Sequence, residues 1–362
     1  MNQTNFSQRS SRLQEHIPHD AAWLLSRPED IKYYSGFDCL VSTEREAFLV
    51  MTSTQVLLIH AAFSPTTTVF PQVKKREGAF ITQLKGHLHS LHETSPFTTL
   101  AIDSENMHQS EYAYLEKDAT YTLANFSRSE INTQRSQKDN SELSSIQKAI
   151  EITTQLHEWA RSNCAVGMTE KELTRQLYAR MIELGGDITP AFPFIVAFGP
   201  HTALPHHQPT TLSLTENTPV LIDIGARFNH YCADMTRSFW FGDSPDSTFT
   251  RIESVVMQAY AAAEKAVMEF IEAGTATTAK DVDDIARAVI TDAKYEEYFI
   301  HTTGHGLGLD IHEPPSLSWR NPQPLQPNMA LTIEPGIYLP EVFGFRHENT
   351  LLLTPKRAKK SE

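Results

Sequence analysis

Val220, Leu221, Ile222, Asp223, Ile224, Gly225, Ala226 and Arg227 lead through a turn at Phe228, Asn229 and His230 into Tyr231, Cys232, Ala233, Asp234, Met235, Thr236, Arg237, Ser238, Phe239, Trp240 and Phe241. The first run is apolar and β-prone and the second alternates, so together they predict a hairpin. Asp223 interrupts the apolar run, where an ionised carboxylate needs compensating charge or hydrogen bonds. On the second strand, a period of two puts Asp234 on one face with Thr236, Ser238 and Trp240, while Met235, Phe239 and Phe241 point the other way.

A later pair repeats the pattern. Leu331, Thr332 and Ile333 run into Glu334, and Pro335 and Gly336 stop the strand. In the stretch 345–353, Glu348 shares parity with Arg346 and Thr350. Four acids on two hairpins need a counter-charge, and few Lys or Arg lie nearby in sequence. Two divalent cations would supply it: four carboxylates with a neutral imidazole balance two such ions, and one added hydroxide suits hydrolysis. The imidazole is expected from the segment His301, Gly304, His305, Gly306, Gly308, His312 and Glu313, where glycines flanking His305 allow close approach of backbone and ion. Pro205, His206, His207 and Pro209 predict a rigid turn that aims a further imidazole. Oxygen-rich ligation with one nitrogen favours Mn(II), or Fe(II) and Co(II), over a closed structural zinc site, and Zn(II) is also compatible. Taken singly, a strand aspartate, a Glu-Pro-Gly ending or a Gly-His-Gly loop is commonplace; their order is what points to a site.

Around these segments, 362 residues suffice for two ordinary domains. Residues 22–25, 47–51, 56–59, 98–102 and 121–126 read as strands and 78–92 and 111–117 as helices, a small α/β domain. The polar stretch 127–142, without period, reads as a linker, placing the domains at 1–135 and 136–362. Beyond it, Leu143, Ile146, Ile150 and Trp159 mark a helix, and Thr169 with Glu172 a capping box. Phe249, Ile252, Val255, Val256, Ala259, Tyr260, Ala263, Val267 and Phe270, then Val282, Ile285, Ala286, Val289 and Ile290, recur at helical spacing and are expected as core. The fold class expected is α+β, the second domain a curved antiparallel sheet backed by helices.

A net charge of -13 repels polyphosphate, so nucleic acid is not an expected partner. Cys39, Cys164 and Cys232 are odd in number and scattered, which suits a reducing compartment. No apolar block reaches signal-peptide or membrane-span length, and a soluble, cytoplasmic protein without a membrane partner is expected.

Together the segments resemble the Xaa-Pro peptidases, the prolidase and aminopeptidase P branch of the pita-bread metallopeptidases. Asp223 and Asp234 in their settings look like that family's first metal aspartates, the 301–313 segment like its histidine signature, and 332–338 like its Ile-Glu-Pro-Gly run. Residues 31–37 resemble the Tyr-Tyr/Leu-x-Gly-Phe run of its amino-terminal, creatinase-like domain. The resemblance implies that Asp223 and Asp234 bind one metal, that Asp234 and Glu348 bridge to a second, and that His305 and Glu334 complete it. It further implies substrate contacts from His206 and His312, proton transfer by Glu334, an orienting or bracing role for Arg346, proline-containing peptides as substrate, and a homodimer. Three departures stand out: Ser316 where many prolidases have an arginine, with Arg320 nearby; His347 for an aliphatic residue; and His60, Ala61, Ala62 and Phe63 for an Asp-x-Arg-Tyr run. The first inclines the reading toward Xaa-Pro aminopeptidase activity, with Xaa-Pro dipeptidase next and a non-catalytic interaction module as the reading from another class.

Overall fold

The computed structural model describes residues 3–40, 44–64 and 73–354. The chain divides into two compact units, Met1–Gln134 and Arg135–Glu362.

The first unit is built on a six-stranded sheet in the order Val73–Glu77, Val56–His60, Ala47–Met51, Ala21–Leu25, Thr99–Ile102, Thr122–Asn125. Pairing is antiparallel among the three strands 56–60, 47–51 and 21–25, and parallel at both ends. The three inner apolar strands are buried along their length, and helix Ile81–Thr94 covers them with Leu84, Leu88 and Leu91. The strand Val73–Glu77, absent from the sequence reading, carries Lys74, Lys75 and Arg76 at the sheet edge. Charge at an edge discourages further pairing and erases the apolar alternation by which a strand is recognised.

The stretch 127–142 is more than the expected linker: it holds helix Ser129–Ser136 and the Asp139 cap of helix Asn140–Asn163. Gln134, Arg135, Ser136 and Lys138 are buried there. Because those buried groups are polar, the stretch has no hydrophobic period to detect.

In the second unit, helix Glu170–Glu183 starts at the Thr169–Glu172 capping box. Strand Thr218–Ile224 lies between Ile195–Phe198 and Met235–Phe241, all antiparallel, with Asp223 opposite Ile195 on one side and Thr236 on the other. A second antiparallel sheet runs Glu313–Leu317, Gly304–Gly306, Ala330–Ile333, Asn349–Leu352. Helices Ser247–Ala273 and Ala279–Asp292 close an apolar core over it, with Phe249, Ile252 and Val282 among Leu331, Phe343 and Phe345. The other half has its own core around Leu173, Leu177, Phe194 and Ile222. The helical stripes read from the sequence form these cores.

Two strands depart from expectation. The run 231–241 is interrupted at Ala233 and Asp234, and the run 345–353 at His347 and Glu348, where a separate hairpin, Gly336–Leu339 with Phe343–Arg346, intervenes. At the breaks the two segments bond to each other instead of to their ladders. The Asp234 N–H donates to Thr350 Oγ1 at 3.0 Å and the Glu348 N–H to the Thr236 carbonyl at 3.2 Å. Each break puts an acid where the sheets meet.

Candidate metal centre

Asp223, Asp234, His305, Glu334, Arg346 and Glu348 line one cavity of about 1100 Å³, with His206, His301 and His312 also on its wall. Asp223, Asp234 and Glu348 are buried, Glu334 and His305 half-buried. His305 Nε2 lies 3.5 Å from Asp234 Oδ2 and 3.4 Å from Glu334 Oε1. Its Nδ1 sits 3.0 Å from the Gly306 carbonyl. A carbonyl only accepts, so Nδ1 carries a hydrogen and Nε2 is the ring nitrogen turned toward the acids. Gly304 is what allows this placement, because a Cβ there would collide with the Thr332 carbonyl of the adjoining strand.

Arg346, for which the resemblance implies an orienting or bracing role, supplies a positive charge beside the acids. Its Nη2 donates to Asp223 Oδ2 at 2.6 Å, its Nε to Thr236 Oγ1 at 2.9 Å and its Nη1 to Tyr338 Oη at 2.7 Å. Thr236 Oγ1 in turn donates to Glu348 Oε2 at 2.6 Å. Tyr338 Oη lies 2.9 Å from His301 Nε2, while His301 Nδ1 faces the Thr302 carbonyl at 2.8 Å, so the tyrosine hydroxyl is the donor to the histidine. Thr236 and Tyr338 were not singled out from the sequence. Thr236 had been placed on the acid face by strand parity, but nothing local marks Tyr338.

One guanidinium is insufficient for this many carboxylates. Asp223 Oδ1, Asp234 Oδ1 and Glu348 Oε1 are buried without any hydrogen-bond partner, a condition that costs a buried charge several kcal/mol unless something compensates it. Burial first, then repulsion from the neighbouring acids, pushes Asp234 and Glu348 well above the ordinary carboxylate range. Burial also raises Asp223, against the opposing pull of Arg346. Ligand atoms of Asp234, His305 and Glu348 lie within 4.8 Å of one another. Orphaned oxygens, an imidazole nitrogen turned toward them and an excess of acids over cationic side chains fit divalent cations.

A second cluster, Glu170, His201 and His207, has the same 4.8 Å compactness. It differs in that both Glu170 oxygens are fully hydrogen-bonded. Only His207 of these three had drawn notice in the sequence.

Residues 144–355 match the family model described as metallopeptidase family M24. The chain belongs to metallopeptidase family M24. An uncharacterised peptidase of Staphylococcus saprophyticus is 33% identical to it over 340 residues, covering 92% of each chain. The prolidase from Pyrococcus furiosus superposes with a TM-score of 0.82 at 28% identity, over 98% of this chain and 99% of its own. X-Pro aminopeptidase from Thermotoga maritima gives a TM-score of 0.79 at 29% identity, over 94% and 97%. The resemblance drawn from the motif residues therefore stands, as does the α+β class with its pita-bread half, and the protein is a peptidase rather than a non-catalytic module. Among the described residues, no helix of this M24 peptidase is long and apolar enough to cross a membrane.

The raised carboxyls carry a prediction. On loading with Mn(II), metal-depleted M24 peptidase should release protons, because burial and the neighbouring acids favour the protonated Asp234 and Glu348 carboxyls and ligation would need the deprotonated form. Titration calorimetry with Mn(II) in two buffers of different ionisation enthalpy should give heats that differ by the buffer's contribution. Identical heats would contradict it.

Proposed function

We propose that this M24 peptidase is a dinuclear-metal Xaa-Pro aminopeptidase that releases the residue preceding proline from peptides longer than two residues. The observation that carries the preference is the charge of the cavity wall. Apart from histidines, its one cationic residue among the described residues is Arg346, which is engaged with Asp223, Thr236 and Tyr338. Ser316 lines the wall where a carboxylate-gripping arginine would stand in a dipeptidase. Arg320 lies over Trp319, 5.3 Å from the ring centroid, and is not among the lining residues. A dipeptide's free carboxylate thus meets no committed partner in this wall, whereas a longer peptide has none to satisfy.

Asp223, Asp234, His305, Glu334 and Glu348 would hold two divalent ions, Mn(II) in our reading. When bound, such ions polarise the scissile carbonyl and acidify water enough for attack near neutral pH. Glu334, less buried than the other acids and facing the cavity, moves a proton on its carboxylate to the departing prolyl nitrogen. His206 and His312 donate N–H to the carbonyl oxygen as charge develops there. Burial, then the neighbouring His305, holds His312 below the usual imidazole range, so it acts as a neutral donor. Arg346 braces Asp223 through two-point contact along the Asp223–Thr236 pair. The prolyl amide offers no N–H and is recognised by shape; Phe192, Ile195, Ile300 and Ile311 provide an apolar wall suited to its ring.

The same reading makes residues 1–135 a creatinase-like domain and 136–362 the catalytic one, with a homodimer inferred from the family resemblance. Three free cysteines support a cytoplasmic setting.

The test compares Ala-Pro, Gly-Pro and an Xaa-Pro-Xaa tripeptide on Mn(II)-loaded enzyme. The tripeptide should be preferred in kcat/KM by about tenfold or more, equivalent to about 1.4 kcal/mol for one missing charge-assisted contact. Turnover confined to the dipeptides would assign a dipeptidase instead.

A further inference from the structure

We infer that Glu170 is a positioning residue for the cavity imidazole of His206, an inference that rests on the Xaa-Pro peptidase reading for His206's part in turnover. Glu170 opens helix Glu170–Glu183 and is completely buried. Its Oε1 accepts from the Phe198 N–H at 2.9 Å and from His201 Nδ1 at 2.8 Å. Its Oε2 accepts from His207 Nε2 at 2.9 Å, the Thr210 N–H at 2.8 Å and Thr210 Oγ1 at 2.7 Å. One carboxylate therefore gathers four points of a single loop, residues 198, 201, 207 and 210. The loop returns the contact, since the Glu170 and Lys171 N–H groups donate to the Leu212 and Thr210 carbonyls at 3.1 and 3.0 Å. The His201 and His207 rings stack at 4.3 Å between centroids, filling the loop's interior.

His206 sits inside this frame. Its side chain is exposed to the cavity that Pro205, His206 and Gln208 line, and no hydrogen bond to another described residue holds the ring. Its position is set by the chain on either side. The neighbouring residue His207 is buried against Glu170, and the His207 N–H closes a turn on the Leu204 carbonyl at 3.1 Å.

The cluster has metal-site compactness, but its chemistry is that of a closed hub. Both Glu170 oxygens, His201 Nδ1 and His207 Nε2 are already used in hydrogen bonds at ordinary length, and the helix amino terminus adds favourable potential for the carboxylate. Burial alone would raise the Glu170 carboxyl, and the bonds from His207, Thr210 and His201 outweigh it and hold it below the usual range. The carboxylate is therefore ionised throughout the working range of a peptidase. The Asp234 and Glu348 centre has the opposite properties, with orphaned oxygens and raised carboxyls.

Glu170→Gln tests the assignment, because it keeps the shape but presents N–H toward donors on one side of the hub. We expect kcat/KM to fall by about thirtyfold to a hundredfold, mostly in kcat, the scale of a displacement of about 1 Å at a reacting centre. Metal content by mass spectrometry should equal that of wild type. His206→Ala should lose a similar factor, and the double variant should lie within about twofold of His206→Ala alone, because residues acting through one another do not add. Multiplying losses, or loss of metal in Glu170→Gln, would overturn the inference. Should Glu170→Gln fail to fold by circular dichroism, Thr210→Val and Thr210→Ser decide. The valine should cost about threefold or more and be silent in the His206→Ala background, and the serine, which keeps the hydroxyl, should restore turnover; a valine variant as active as wild type would overturn the inference. A wild-type enzyme inert to all Xaa-Pro peptides would sink the functional reading alone. The hub is then read from the His206 imidazole resonance, which should move in Glu170→Gln, and an unmoved resonance would refute it.

Discussion

Asp234→Asn should lower kcat/KM for an Xaa-Pro-Xaa peptide by at least about a thousandfold, and its metal-free form should melt no lower than metal-free wild type. The two halves of this expectation come from one arrangement. Asp234 lies 3.5 Å from His305 Nε2, clusters with His305 and Glu348 and carries one of the orphaned oxygens, so its carboxylate is placed to link groups contributed by the two sheets. In the proposed ligand set, removing the charge would deprive the centre of cation affinity, and several kcal/mol of lost transition-state stabilisation corresponds to about a thousandfold at about 1.4 kcal/mol per decade. Without cations, however, that charge is a burden. Burial and the proximity of Asp223 and Glu334 disfavour its ionised form. A carboxyl whose folded pKa is raised contributes stability below its ordinary pKa, and that contribution disappears as pH rises through the shifted value. Asn removes this penalty at pH 8 while keeping the volume. Metal analysis, peptide kinetics and thermal melts after chelation provide the check. Full activity with both metals retained, or a chelated variant melting several degrees below chelated wild type, would show that Asp234 is an ordinary buried side chain.

How far the sequence could be read follows from the range of each interaction. Asp223 was legible because an acid within Val220, Leu221, Ile222 and Ile224 is a local contradiction, and Glu334 because Pro335 and Gly336 end its strand. The long stripe from Phe249 to Phe270 needed only helical periodicity, and it now lies against Phe343 and Phe345. The breaks at Asp234 and Glu348 were not legible, since alternation runs through both and the interruption comes from bonds between residues more than a hundred positions apart. Glu170 illustrates the same limit. Beside a correctly read capping box it looks like any first-turn acid, which the helix dipole alone would explain, whereas its partners lie 28 to 40 positions downstream. Arg346 was visible, but its commitment to Asp223 was not, and that contact replaces part of the counter-charge assigned to metal.

The largest stability effect is expected at Glu313, beside His312. Glu313 Oε1 accepts from Arg135 Nη2 at 2.6 Å and Oε2 from Lys138 Nζ at 3.3 Å, while the Asp310 N–H closes onto Oε1 at 3.1 Å. A Cβ at Gly308 would meet the same carboxylate at 2.7 Å, so the loop 308–313 is wrapped around it. Burial acts to raise this carboxyl, but Arg135 and Lys138 prevail and bring it down to about 2. Measured against an ordinary 4.5, that depression corresponds to about 3 kcal/mol. Because the folded pKa is lowered, the stabilisation is present above pH 4.5 and fades as pH falls toward 2. Glu313→Gln should therefore cost about 3 kcal/mol in urea unfolding at pH 7, in line with breaking a buried ion pair from one side, and the difference from wild type should shrink on acidification. Lys138→Gln alone should also destabilise, but the double variant should lose less than the sum, since each single change strands a charge that the other removes. Additive losses, or a Glu313→Gln deficit independent of pH, would mean that packing rather than charge holds the loop, and that Arg135 and Lys138 merely neighbour the His312 side of the cavity.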